Sequence, residues 1–129
     1  MALIIYTDGA CFGNPGPMGI GLVVYKDKKK ILEISEYVGE GTNNIAEYLA
    51  LIRALEIAKK MREKEVHIRT DSQLLARQMS GEYKVKDRKL KPLKAKVDGL
   101  MFGMNVKVEH ISREQNEEAD ELSKRAVSQ

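Results

Sequence analysis

Leu3-Ile4-Ile5-Tyr6-Thr7-Asp8-Gly9 is the stretch on which the fold turns. Its short apolar run reads as a strand buried on both faces, closed by Thr7-Asp8-Gly9, so Asp8 falls at the strand's carboxyl end. Glu65 to Thr70 repeats the arrangement: Val66, Ile68 and Thr70 alternate with polar partners, and Asp71 follows the last of them. Between the two, Gly13-Asn14-Pro15-Gly16-Pro17 is a compact turn. Gly19 to Tyr25 and Ile31 to Val38 are two further strands, joined through the charged turn Lys26-Asp27-Lys28-Lys29-Lys30. The first three strands therefore form an antiparallel meander. Thr42-Asn43-Asn44 supplies N-cap chemistry for a long helix, in which Ile45, Tyr48, Leu49, Ile52 and Leu55 carry the helical period and which ends near Arg62. That helix returns the chain to Glu65–Thr70 by a right-handed crossover, placing the fourth strand parallel to the first.

Farther along, Ser72 to Ser80 reads as a short helix and Leu90 to Met101 as another. Val106 to Ile111 reads as a fifth strand, and Asn116 to Val127 as a terminal helix with Ala119, Leu122 and Ala126 inward. No linker, repeat or low-complexity tract interrupts the chain, so one domain over residues 1–129 is expected. A length of 129 residues, 43% apolar and 32% charged, suffices for a real core. The net charge of +3 permits an anionic partner without demanding one. Cys11 is the only cysteine, which excludes an internal disulfide and a Cys-cluster metal site. The opening residues lack a basic leader and no stretch is apolar enough to span a membrane, so a cytoplasmic monomer is expected.

Open α/β sheets bind ligands beyond the carboxyl ends of their parallel strands, where Asp8 and Asp71 both lie. Glu47 and Asp120 are the other two acids in suggestive contexts. Each has an ordinary reading by itself: Asp8 as a turn residue, Asp71 as a helix N-cap, Glu47 as the N3 member of a capping box begun by Asn44, and Asp120 as a solvated helix residue. Helical spacing argues against the ordinary reading of Glu47. At 100° per residue it shares a face with Ala50, Leu51, Ala54 and Ala58, a small-residue stripe suited to packing on a sheet, where an unpaired carboxylate is costly. Four carboxylates converging on one place would supply the hard oxygen ligands for two Mg²⁺ ions about 4 Å apart, as phosphodiester hydrolysis by two metals requires.

Four segments, in order, carry a specific resemblance: Tyr6 through Pro17, Thr42-Asn43-Asn44-Ile45-Ala46-Glu47, Thr70-Asp71-Ser72-Gln73, and His110 through Asp120. Together they resemble a ribonuclease H of type 1 over nearly the whole chain. The resemblance implies an RNase H-like α/β fold, a five-stranded mixed sheet (three antiparallel strands, then two parallel) flanked by helices. It also implies an endonuclease that hydrolyses the RNA strand of RNA–DNA hybrids, leaving 5′-phosphate and 3′-hydroxyl ends, with two Mg²⁺ per site and Mn²⁺ as a substitute. By the same resemblance Asp8, Glu47, Asp71 and Asp120 become metal-binding catalytic carboxylates. Asn14, Asn43, Asn44 and Gln73 match positions that contact sugars and bases, and Thr42 one that grips a DNA phosphate. His110 stands ten residues before Asp120, where many relatives carry a loop histidine assisting proton movement or product release. It also reads as a plain strand residue, and Arg113 is the alternative cation near the scissile phosphate.

The chain departs from many relatives between Gly81 and Lys96, where a Trp-containing basic handle is missing. Lys84, Lys86, Arg88, Lys89, Lys91, Lys94 and Lys96 are read either as a compensating phosphate-facing patch or as a solvated face. Two rival functions stay open from sequence. One is a same-fold nuclease acting on double-stranded RNA or structured nucleic acid. The other is a non-catalytic nucleic-acid-binding module, against which the intact carboxylates argue, since they would only repel phosphate.

Overall fold

Residues 2–128 are described by a computed structural model. Strands β1 (Leu3–Cys11), β2 (Gly16–Lys26) and β3 (Lys29–Gly41) are followed by helix α1 (Asn43–Lys60) and strand β4 (Glu65–Thr70). Helices α2 (Gln73–Met79) and α3 (Lys91–Met101), strand β5 (Asn105–His110) and helix α4 (Glu117–Val127) complete the order. The sheet runs β3-β2-β1-β4-β5, with β1–β2 and β2–β3 antiparallel and β1–β4 and β4–β5 parallel. This is the expected five-stranded mixed sheet.

The meander differs in detail from its sequence reading. β1 does not stop near Asp8. It pairs with β4 only from Leu3 to Thr7, but with β2 as far as Cys11, so Asp8 is the first residue whose β4 side is open. Gly16 and Pro17 belong to β2 rather than to the turn, which the Phe12 N–H closes by donating to the Pro17 carbonyl (3.0 Å). The second turn narrows to Asp27-Lys28, both left-handed (φ 54° and 66°), the backbone that matches the twist of a two-residue hairpin.

The α1 side of the sheet holds the larger core. Leu3 and Ile5 of β1, Ile20, Leu22 and Val24 of β2, and Val66 and Ile68 of β4 pack on Tyr48, Leu51, Leu55 and the alanines of α1. Alternation along β1 turns Tyr6 and Asp8 to the other side, where α4 lies over Val23 with Ala119 and Leu122. Glycines set how closely both helices sit. A Cβ on Gly9 would fall 2.3 Å from the Ala46 carbonyl carbon, and one on Gly21, the register partner of Asp8, 2.1 Å from the Ala119 carbonyl oxygen. Bare backbone at these points lets α1 and α4 rest directly on the strands that flank Asp8.

Candidate active site

Asp8 reaches the α4 side from β1 and is 5% exposed. Asp71 follows β4 directly and Glu47 extends from α1. One carboxylate oxygen from each lies within 4.8 Å of the others. The capping-box reading of Glu47 is overturned, because the N-cap of α1 is Thr42: its Oγ1 accepts from the Ile45 N–H at 3.3 Å. Glu47 instead accepts the Gly9 N–H (2.7 Å), and Ala50, Leu51, Ala54 and Ala58 along its stripe are fully buried. Asp71 is not a cap either, since Ser72 caps α2 by accepting from the Leu75 N–H (3.2 Å).

Asp120, in the first turn of α4, and Arg113 line the same open pocket of about 290 Å³. Asn43 and the half-exposed Phe12 lie on its wall as well. Asn14 Oδ1 accepts the Asn43 N–H (3.3 Å), while Asn44 and Gln73 stand exposed at the starts of α1 and α2. His110 is not part of this wall. It is the exposed last residue of β5, paired in register with Thr70. Cys11 lines the pocket, but its thiol donates toward the carbonyls of Gly13 (2.8 Å) and Gly41 (3.2 Å).

Three contributors have no forecast in the sequence reading. The Lys124 ammonium, one turn beyond Asp120, pairs with it at 3.0 Å on the pocket rim. Asn116, 1% exposed, donates from Nδ2 to the Thr7 carbonyl (2.9 Å) and fastens the start of α4 to β1. Ser123 donates to Asp8 Oδ2 (2.6 Å). Only Lys124 left a sequence signal, the i,i+4 spacing from an acid.

Electrostatically the cluster is loaded. Burial pushes Asp8 up to about 8, opposed by the Ser123 hydroxyl and reinforced by the charges of Asp71 and Asp120. Burial also raises Glu47 well above the ordinary carboxylate range, with the Asp8 and Asp71 charges adding to it and the Gly9 N–H working against it. Among the described residues no lysine or arginine forms an ion pair with Asp8, Glu47 or Asp71. Three converging carboxylates, one buried and two partly covered, none of them ion-paired among the described residues, make an all-oxygen donor set suited to a hard divalent cation.

Against known proteins, a family model described as RNase H matches residues 1–128. Ribonuclease HI of Halobacterium salinarum is 37% identical over 124 residues, covering 95% of this chain and 62% of that protein. A bifunctional protein of Mycobacterium tuberculosis is 38% identical over 130 residues, covering 98% of this chain but 36% of that protein. The chain thus spans less than two thirds of the length of these curated relatives. The crystal structure of LC11-RNase H1 in complex with an RNA/DNA hybrid superposes with a TM-score of 0.92 at 47% identity, covering 98% of this chain and 96% of that one.

Proposed function

Because the chain belongs to the RNase H family, we propose that it is an endoribonuclease that hydrolyses the RNA strand of RNA–DNA hybrids, leaving 5′-phosphate and 3′-hydroxyl ends. The observation that carries the reading is the convergence of Asp8, Glu47 and Asp71 within 4.8 Å, in a pocket that also takes Asp120. A similar protein, LC11-RNase H1, is seen with an RNA/DNA hybrid, which supports the choice of substrate.

In this reading Asp8, Glu47, Asp71 and Asp120 hold Mg²⁺, two ions per site, with Mn²⁺ able to replace it. When bound, the ions supply Lewis-acid stabilisation of the charge that develops on the attacking and leaving oxygens. The chain's own part is to hold the acids still before substrate arrives. Gly9 N–H fixes Glu47 from the strand, and the glycine contacts at β1 and β2 fix the two helices. Arg113 and Lys124 line the pocket, and in this reading these cations meet the negative charge of the scissile phosphate. Asn14, Thr42, Asn43, Asn44 and Gln73 offer neutral donors and acceptors for sugars and bases. Such groups can engage the 2′-OH, which both donates and accepts and so distinguishes RNA from DNA. His110, which ends β5 beside Thr70 and does not line the pocket, is left in this reading with the lesser role of assisting product release.

The test is Mg²⁺-dependent cleavage of end-labelled duplexes of one sequence, offered as RNA–DNA hybrid, double-stranded RNA and double-stranded DNA. Cutting confined to the RNA strand of the hybrid is expected. Preferential cutting of double-stranded RNA would transfer the site to that substrate, and binding without cutting in either metal would leave a nucleic-acid-binding module.

A further inference from the structure

We propose that Ser123 is a positioning residue for the metal site, fixing which oxygen of Asp8 is offered to the divalent ion; the inference rests on the metal-dependent reading above. Ser123 is fully buried on α4, and its hydroxyl lies 2.6 Å from Asp8 Oδ2 and 2.8 Å from the Asp120 carbonyl. A hydroxyl has one proton to donate. Once Asp8 ionises to take up a cation, its carboxylate is the stronger acceptor of the two, so in that state the hydroxyl proton goes to Asp8.

The donor is also held rigidly. A Cβ on Gly19 would lie 2.3 Å from the Ser123 carbonyl oxygen, and one on Gly21 would lie 2.6 Å from its amide nitrogen. The backbone of α4 at Ser123 therefore sits on bare β2 backbone, opposite Asp8 in the β1–β2 register. Pinning Oδ2 from this platform leaves the other oxygen of Asp8 for the cation and stops the carboxylate from rotating between the two. Mg²⁺ demands near-ideal octahedral geometry and dehydrates reluctantly, so the orientation of a ligand governs how well the ion is held. Groups that orient metal ligands in this way typically account for 10- to 100-fold in metal affinity.

The experiment is an NMR titration of the chelator-stripped protein with Mg²⁺, without nucleic acid, for wild type, Ser123→Ala, Ser123→Val and Ser123→Thr. Val and Thr have nearly the same shape, so any packing disturbance is common to both and their difference isolates the hydroxyl. Ala and Val are expected to weaken Mg²⁺ binding about 10-fold or more while Thr stays near wild type. In cleavage the matching signature is a higher Mg²⁺ requirement with the KM for hybrid unchanged. Mg²⁺ binding by Ala and Val within twofold of wild type would overturn the proposal, as would equal weakening in Val and Thr, which would mark a packing effect. Absence of Mg²⁺ binding in the wild type would overturn the metal reading together with it. Hydroxyl-dependent Mg²⁺ binding in a protein that cuts no hybrid would sustain Ser123 and overturn the substrate assignment alone.

Discussion

The acidic pocket and the segment from Lys84 to Lys96 carry opposite charge and are held in place by opposite means. Asp8 is buried and Glu47 and Asp71 are partly covered; β1 and α1, which carry Asp8 and Glu47, are locked by the backbone contact at Gly9, and Asp71 directly follows β4, which pairs with β1. Between Met79 and Lys91 the chain forms no helix, and Lys84, Lys86, Arg88 and Lys89 stand exposed there. Two of the seven basic residues are already engaged: Lys94 with Asp98 (2.7 Å) and Lys96 with Glu56 (3.9 Å). Rigidity is where geometry decides the outcome, as in metal binding. Exposed, independent cations suit a task in which only summed charge matters, as in following a phosphate backbone.

The sharpest way to break this contrast is Asp71→Asn. If the pocket is the catalytic centre, removing one carboxylate should lower kcat by roughly 10³-fold or more, several kcal/mol in the transition state, with hybrid binding largely kept. Single-turnover cleavage in clean Mg²⁺, beside a binding titration, measures both. Turnover at the wild-type rate would remove the pocket from the chemistry.

A second consequence concerns pH in the metal-free protein. Asp8 sits at about 8 in the fold against 3.8 when free, so the folded state binds a proton that the unfolded state releases. Its stability contribution is complete below pH 4 and is lost as pH rises through 8. The slope should reach about 1.4 kcal/mol per pH unit inside that window. Chemical denaturation at pH 5, 6.5 and 8 with chelator present should show the midpoint falling, and saturating Mg²⁺ should flatten the series by binding the ionised form. A flat series without metal would mean that the carboxylates do not share a desolvated site.

Much of this region was legible beforehand, and the reasons are local. Glu47 stood out because Ala50, Leu51, Ala54 and Ala58 put it on the sheet-facing stripe of α1, and those residues are all fully buried. Asp8 was placed at the pocket, yet the strand around it was read too short. Gly9, Ala10 and Cys11 have little β preference of their own and are extended because β2 pairs with them. Ser123 left no trace, since a serine in a helix interior looks the same whether its hydroxyl meets solvent or a buried carboxylate. His110 was singled out through spacing along the chain, and the parallel ladder pairs it with Thr70, the residue before Asp71, although it does not itself line the pocket.

Gly21→Ala tests whether the pocket's rigidity comes from the close seating of α4. The added methyl would lie 2.1 Å from the Ala119 carbonyl oxygen and 2.6 Å from the Ser123 amide nitrogen, both backbone, so the helix must move outward. A loss of about 1–3 kcal/mol in denaturant midpoint is expected, the usual cost of overpacking. The shift should also weaken Mg²⁺ binding, because Asp120 and Ser123 travel with α4. Gly81→Ala, at the edge of the basic segment, has open space around its Cβ and a left-handed φ of 84°. It should cost only the backbone strain, about 1 kcal/mol, and leave metal binding alone.

The smallest effect per residue, and the one that decides what the basic segment does, comes from neutralising Lys84, Lys86 and Lys89 together. None of the three is engaged in an ion pair among the described residues, so their removal should leave folding nearly unchanged. If they meet DNA phosphates, each contact contributes through counterion release, and the slope of log affinity against log salt should flatten by up to about 0.9 per lost contact. KM should rise with kcat nearly constant, because such contacts hold ground state and transition state alike. Hybrid binding measured from low to moderate salt separates the outcomes, and an unchanged slope returns the lysines to the role of a solvated face. The contrast would then narrow to the pocket's own cations, with Arg113 and Lys124 left as the groups that meet the backbone of the bound strand.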